Sequence, residues 1–177
     1  MESILLASNI ALWVVAIAQA LFILVLFHYI GLLLNRVPPE GLPLEQKAPK
    51  QEIQDIDGKR YVLGERSDRG RILIFTSPLC PWCEKLAPDI PQFVRSVGHE
   101  YDVLAISAIE LDSPDARAYA NRLDDGSGLK LAVAPQLLER YLVRGTPYGM
   151  LLDEDGAVRA KGVTNSLTDL QTIVNLR

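Results

Sequence analysis

The segment Cys80-Pro81-Trp82-Cys83 constrains this chain more than any other feature of its sequence. It follows an apolar run, residues 72–75, and contains the only two cysteines among the 177 residues. The run predicts a buried strand, so the first cysteine lies where a strand ends and a helix begins. Backbone N–H groups there stabilise a thiolate, which makes it a nucleophile and a good leaving group. We therefore expect a redox-active pair, with Cys80 as nucleophile, Cys83 as resolving thiol, and no cofactor besides their disulfide.

Three other uses of the pair compete with this interpretation. A closed zinc site needs about four ligands, but His28 and His99 are the only histidines and His28 lies in an apolar N-terminal run. We therefore expect no metal site. A purely structural disulfide that closes so short a loop removes little chain entropy and stabilises the fold little. A domain that only binds a partner, with an incidental disulfide, remains as an alternative.

The N-terminal region predicts a membrane anchor. Residues 4–34 contain no Asp, Glu, Lys or Arg, and roughly 20 apolar residues suffice to cross a bilayer core. A cleaved signal peptide, the alternative, has a positively charged start and an apolar stretch of about 7–15 residues. Here the start carries Glu2 and the run is much longer. We predict a single retained transmembrane helix over residues 1–34.

The orientation of this anchor is subject to two opposing arguments. No Lys or Arg precedes the span, whereas Arg36, Lys47 and Lys50 follow it, which favours a cytoplasmic domain by the positive-inside rule. Domains that handle disulfides work mostly in compartments where disulfides persist. We give more weight to the chemistry and expect a single-pass inner-membrane protein with its domain in the periplasm. The reverse orientation would leave a cytosolic dithiol reductase.

The remainder of the chain predicts a spacer and one domain. Residues 35–50 contain four prolines, which is typical of an extended spacer. Residues 51–177 begin with a hairpin around Asp57-Gly58 and then alternate apolar strands with helices. This order predicts an α/β domain with a central mixed sheet flanked by helices. The net charge of −4 without a basic run gives no support for nucleic-acid binding.

The arrangement resembles the thioredoxin superfamily. The residues that carry the resemblance are the strand, the Cys-Pro-Trp-Cys segment, Pro88 in the following helix, and Gly145-Thr146-Pro147 before a later strand. The resemblance implies a thioredoxin-like fold, a cis Pro147 that faces the cysteines, and a protein thiol or disulfide as substrate. Thr146 and Pro147 would present backbone groups to that substrate. Trp82 would either contact the substrate or cover the helix end.

Two subfamilies are similar to the chain. The anchor, the early hairpin and about 35 residues inserted before Thr146 resemble the TlpA/ResA-type membrane-anchored oxidoreductases. The sequence from Thr146 to Asn165 is similar to the MauD family, which implies maturation of the disulfide-rich small subunit of methylamine dehydrogenase. The ResA type implies the opposite direction, reduction of disulfides in cytochrome c maturation. Either role requires a redox partner that recycles the pair.

The chain departs from both patterns near the cysteines. Thioredoxins carry a buried acid six residues before the first cysteine, where this chain has Ile74. The ResA type has a glutamate after its second strand, and Glu110 occupies the matching place. Glu110 is thus a possible proton acceptor for Cys83; the alternative is a solvated side chain at a strand end. Peroxiredoxins have Thr where this chain has Ser77, which argues against a peroxidase.

Overall fold

The computed structural model describes residues 2–34 and 40–176, with side chains for residues 8–31 and 40–176. Its contacts divide the chain into two units, Met1–Pro39 and Glu40–Arg177. The first unit contains helix α1, Glu2–Leu34. Within this helix, Ser8–Gly31 is a 24-residue stretch of mean hydropathy 2.8, long and apolar enough to cross a membrane. This finding agrees with the predicted anchor.

The second unit alternates strands and helices, as the sequence predicts. Its strands are β1 (Gln51–Gln54), β2 (Arg60–Leu63), β3 (Gly70–Thr76), β4 (Tyr101–Ser107), β5 (Lys130–Val133), β6 (Tyr148–Leu152) and β7 (Val158–Val163). Its helices are α2 (Pro81–Leu86), α3 (Ile90–Val97), α4 (Ser113–Leu123), α5 (Gln136–Arg140) and α6 (Leu167–Asn175). Strands β1 and β2 form the expected hairpin.

The central sheet is mixed, in the order β5-β4-β3-β6-β7. Strands β3, β4 and β5 are parallel, whereas β6 runs antiparallel to both β3 and β7. The hairpin is attached at the β5 edge, where the Ile56 N–H donates to the Leu131 carbonyl at 2.9 Å. Strand β3 therefore lies at the centre of the sheet, and its carboxyl end leads directly into the cysteine segment.

The apolar run in β3 is continuous because both faces of the sheet are covered. Ile72 and Ile74 pack on one face with buried residues of α3, α4 and α6. Leu73 and Phe75 pack on the other face, in a cluster that includes Tyr141 next to α5. Successive side chains of a strand point to opposite faces, so one short run contributes to two cores. This packing fixes the direction in which β3 delivers the cysteines.

The helix after the cysteines is divided where Pro88 and Pro91 interrupt it. Helix α2 ends at Leu86, a 3₁₀ turn covers Ala87–Asp89, and α3 begins at Ile90. Proline has no N–H to donate and its ring clashes with the preceding turn, so a regular helix does not continue through these positions. The division keeps Leu86 and Ile90 buried on the same face of the sheet.

Residues 40–50 require a correction of the predicted spacer. Leu42 and Ala48 are buried in the domain core. The Gly41 N–H donates to the Leu142 carbonyl at 2.8 Å. The Ala48 N–H donates at 2.9 Å to the carbonyl of Gly156, in the turn between β6 and β7. These residues form the N-terminal segment of the domain, which starts at residue 40 rather than 51.

The physical reason for this difference lies in what the prolines specify. A proline-rich segment is extended, but an extended backbone can pair with the edge of a domain as readily as it can span water. The prolines predict the backbone form of residues 40–50, and the buried Leu42 and Ala48 decide where the segment lies. The rest of the predicted spacer, residues 35–39, falls outside the described residues.

Candidate active site

Cys80 caps the N-terminus of α2. Its backbone is extended, with φ −99° and ψ 114°, and Pro81 is the first residue of the helix. Proline suits this position because its φ is already helical and an N–H is not needed there. The Cys83 N–H donates to Cys80 Sγ at 3.3 Å, and the Cys80 N–H donates to the Ser77 carbonyl at 3.2 Å. The first thiol therefore faces the free N–H groups of the helix end.

The loop before β6 reaches the same place. The Thr146–Pro147 peptide bond is cis, as predicted, and the Cys80 thiol donates to the Thr146 carbonyl at 3.2 Å. Because β6 is antiparallel to β3, Tyr148 at its start pairs with Phe75 near the end of β3. This register brings two segments 66 residues apart into contact around one thiol.

The two cysteines differ in access. Both are free thiols, so this structure is the dithiol form of the protein. Cys80 is partly exposed, whereas Cys83 is only 2% exposed. A protein substrate can therefore reach Cys80, and Cys83 can be reached only from within the site.

The surroundings also shift the two thiols in opposite directions. Burial raises the pKa of Cys80, but hydrogen bonding by the side chains of Cys83 and Thr146 and by the N–H groups of Cys83 and Trp82 outweighs it, so the pKa is lowered. Burial, followed by the hydrogen bond with Cys80, raises the pKa of Cys83. Cys80 is therefore the first thiol to ionise, as a nucleophile and leaving group requires.

Cys83 is next to a pair of buried hydroxyl groups. The Thr76 side chain and the Ser77 N–H both act to lower the pKa of Cys83, against the larger effect of burial. Thr76 Oγ1 lies 2.6 Å from the Tyr119 hydroxyl oxygen, and both side chains are buried. Sequence reasoning missed both residues. Tyr119 lies on the apolar face of α4 and so reads as a core residue, and nothing in the sequence pairs it with a strand 43 residues away.

The resemblance suggests two positions for a group that takes up the proton of Cys83, residues 74 and 110. Ile74 is fully buried in the sheet and apolar, so the acid of thioredoxins has no equivalent at this position. Glu110 is exposed in the loop between β4 and α4. Within the described part of the domain its side chain forms no hydrogen bond or ion pair. Its role as proton acceptor remains a prediction.

Trp82 lies on the surface beside Cys80. Its side chain is 54% exposed, and the neighbouring Leu79 is 79% exposed. The Lys85 ammonium is 4.4 Å from the centroid of the indole ring, within the range of a cation–π contact. Of the two expected roles, this exposure favours contact with a substrate over covering the helix end. Among residues 8–31 and 40–176, whose side chains the structure describes, no cluster of three His, Cys, Asp or Glu is placed to bind a metal.

Comparison with known proteins places this geometry in a family. The family model described as a thioredoxin-like domain matches residues 60–175. The methylamine utilization protein MauD of Methylophilus methylotrophus is 34% identical over 185 residues, which cover 97% of this chain and 83% of that protein. The thiol-disulfide oxidoreductase ResA of Bacillus thuringiensis is 26% identical over 123 residues, covering 67% of this chain and 69% of ResA.

A solved structure supports the fold. The thioredoxin domain of a thiol-disulfide oxidoreductase from Bacteroides vulgatus superposes with a TM-score of 0.62 at 20% identity, covering 76% of this chain and 96% of that domain. The predicted thioredoxin-like fold and the predicted class, a thiol–disulfide oxidoreductase that uses a cysteine pair, are confirmed. The chain belongs to the thioredoxin-like family and, within it, to the family of the methylamine utilization protein MauD.

Proposed function

We propose that the Cys80–Cys83 pair forms or rearranges disulfides in the small subunit of methylamine dehydrogenase during its maturation. The observation that carries this proposal is the asymmetry of the site: Cys80 is accessible, has a lowered pKa and lies 3.2 Å from the Thr146 carbonyl, while Cys83 is buried behind it. The similarity to MauD over nearly the full chain supports the choice of substrate.

Oxidation of the substrate follows from this geometry in two exchanges. A substrate thiolate attacks Cys80 Sγ in the Cys80–Cys83 disulfide, the S–S bond breaks, and its electron pair goes to Cys83, which takes up a proton. A second substrate thiolate then attacks the first substrate sulfur, which is bonded to Cys80 in the mixed disulfide. The substrate disulfide forms, and Cys80 leaves as a thiolate. The substrate loses two electrons and the pair gains them. The lowered pKa of Cys80 makes it the better leaving group.

Isomerisation uses the reduced pair. Cys80 thiolate attacks a substrate disulfide and forms a mixed disulfide, from which another substrate thiol can displace it. Cys83 attacks Cys80 Sγ when no substrate thiol does so, which releases the substrate in reduced form. Burial of Cys83 restricts this attack to the neighbouring Cys80. In either direction a separate redox partner has to restore the pair.

Substrate binding is assigned to the surface around Cys80. An extended substrate segment would lie along Thr146 and Pro147 and form backbone hydrogen bonds there. Such bonds do not depend on the side chains of the substrate, so many substrate sequences could bind. The exposed side chains of Leu79 and Trp82 would contribute apolar contacts, because desolvated aromatic groups carry much of the binding energy of protein interfaces.

A disulfide reductase in cytochrome c maturation is the second candidate function. The similarity to ResA over two thirds of the chain favours it. The same atoms would then act in reverse, with Cys80 attacking the substrate disulfide and Cys83 resolving it. A protein that only binds a partner is a third outcome, which a variant with both cysteines replaced by Ser would reveal by retaining full function.

The trapping of mixed disulfides tests the proposal. A Cys83→Ala variant lacks the thiol that competes with the substrate for Cys80, so we expect it to accumulate covalent adducts in cells that produce methylamine dehydrogenase. The adducts should contain the small subunit and disappear on reduction. The Cys80→Ala variant is the matched control and should form none. If neither variant forms an adduct and thiol titration finds an inert pair, the proposed chemistry is wrong.

We place the site on the outer face of the inner membrane. Support comes from the apolar helix Ser8–Gly31 and from the need for a compartment in which disulfides persist. The positive-inside count of Arg36, Lys47 and Lys50 stands against this orientation.

A further inference from the structure

The environment of Cys83 poses a chemical problem for the resolving step. Cys83 has to become a thiolate to attack the mixed disulfide on Cys80. Burial disfavours the thiolate, and the position that holds an acid in thioredoxins is here the buried Ile74. A buried anion requires hydrogen-bond donors to be stable. The protein therefore needs a hydrogen-bond donor to Cys83 other than the buried acid of thioredoxins.

Two hydroxyl groups meet this need. Thr76 is the last residue of β3, it is buried, and its side chain acts to lower the pKa of the buried Cys83 against the effect of burial. Its Oγ1 is 2.6 Å from the hydroxyl oxygen of Tyr119, which projects from α4. A threonine hydroxyl has one proton, so when Thr76 donates to a thiolate it can accept the proton of another donor. Tyr119 is in position to be that donor.

We propose that Thr76 and Tyr119 form a hydrogen-bond relay that stabilises the Cys83 thiolate during the resolving step. Tyr119 donates to Thr76 Oγ1, and Thr76 donates to Cys83 Sγ. This assignment rests on the Cys80–Cys83 exchange proposed above. In this assignment Thr76 donates to the reacting sulfur and is a catalytic residue. Tyr119 acts through Thr76 and is a positioning residue.

The step balances without a further reactant. Cys83 releases its proton to water, and its thiolate attacks Cys80 Sγ. The Cys83–Cys80 bond forms, the bond between Cys80 and the substrate sulfur breaks, and the electron pair leaves with the substrate sulfur, which takes up a proton from water. The pair is oxidised by two electrons and the substrate disulfide is reduced by two. The hydroxyl groups keep their protons throughout.

The charged and titratable groups around the relay leave Tyr119 able to donate. The Arg122 guanidinium lies 5.3 Å from the centroid of the Tyr119 ring. Burial raises the pKa of Tyr119 far above its usual value, and the nearby cysteines add to this effect while Thr76 and Arg122 oppose it. The phenol therefore stays protonated across the pH range in which thiols ionise, and Cys80 and Cys83 are the groups that titrate.

The reaction of the reduced full-length protein, in detergent, with the small disulfide DTNB tests this inference. Attack by Cys80 releases the first thionitrobenzoate, and closure by Cys83 releases the second. We expect Thr76→Val to slow the second release about tenfold at pH 7 and to move its pH midpoint up by about one unit, the loss expected for one hydrogen bond to a charged group. Tyr119→Phe should slow it less, by about threefold. The first release should remain within about twofold of wild type in both variants.

Two control variants separate a relay from a structural effect. Thr76→Ser keeps the hydroxyl and should restore the pH midpoint of the second release. Tyr141→Phe removes an equally buried phenol whose hydroxyl donates to the Pro49 carbonyl at 3.3 Å, in the cluster on the opposite face of the sheet, and should leave both releases unchanged. If Thr76→Val and Tyr119→Phe match Tyr141→Phe, the relay is wrong. If the wild-type protein releases no second thionitrobenzoate, the exchange chemistry itself is wrong.

Discussion

At the scale of single residues, two thiols three positions apart have opposite tendencies to ionise. The backbone N–H of Cys83 donates to Cys80 Sγ at 3.3 Å because Cys80 caps the helix. The thiol of Cys83 lies one turn further in, where burial removes it from water. The motif predicts this difference, because a helix cannot begin at both cysteines.

The ionisation of Cys80 gives a prediction in pH. Its pKa is lowered, so the rate of alkylation of the reduced protein by iodoacetamide should rise with pH through a midpoint below about 8.5, the value of an unperturbed thiol. Protein unfolded in urea should show the ordinary midpoint, because the hydrogen bonds of Cys80 are then lost. Cys83 is too buried to contribute. A midpoint at or above that of the unfolded protein would contradict the assignment.

Only part of the rest of the site could be predicted from the sequence. The cis bond before Pro147 could be predicted from the resemblance to the thioredoxin superfamily. The contact between Thr76 and Tyr119 could not, since it depends on how far α4 lies over the end of β3, which no local pattern encodes. Glu110 shows the reverse case: its place in the sequence suggests a role, but its side chain is exposed.

At the scale of elements, the strands and helices of the domain follow from hydrophobic periodicity and turn residues. Strand β3 can be predicted because an apolar run bounded by charge and proline is typical of a buried central strand. The N-terminal segment, residues 40–50, resembles a spacer in sequence because proline content reports an extended backbone and not its burial. Buried side chains at Leu42 and Ala48, separated by exposed residues, show that it belongs to the domain.

Paired leucine variants test this correction. Leu42 is 3% exposed and Leu44 is 55% exposed. Leu42→Ala should lower the free energy of unfolding by about 2–5 kcal/mol, the range for a cavity left by a buried leucine. Leu44→Ala should change it by no more than about 0.5 kcal/mol. Denaturant unfolding of the full-length protein in detergent, followed by fluorescence, gives both values. A free spacer would leave the two variants alike.

At the scale of the whole molecule, a membrane-spanning helix precedes a single redox domain. Substrates that reach Cys80 must share its compartment, so orientation and function depend on one another. Composition predicts the anchor well, because an uncharged apolar run of this length is typical of a membrane-spanning helix. The side of the membrane is harder to predict, because the three basic residues after the span and the chemistry of disulfides point in opposite directions.

A fusion reporter tests the orientation. Alkaline phosphatase attached after Arg177 is active only when exported, so we expect an active fusion in the full-length chain. A fluorescent reporter that matures in the cytoplasm, attached at the same site, is the matched control and should be dark. The opposite result would reverse the topology and favour a cytosolic dithiol reductase.

The reduction potential of the Cys80–Cys83 pair tests the central claim most directly. A lowered pKa stabilises the reduced form, which makes a pair more oxidising, as the contrast between DsbA at about −120 mV and thioredoxin at about −270 mV illustrates. Because the proposed role is to form disulfides, equilibration of the full-length protein with glutathione buffers should give one reversible two-electron transition, nearer to the potential of DsbA. A value near that of thioredoxin, or the absence of a reversible transition, would contradict a role in forming disulfides.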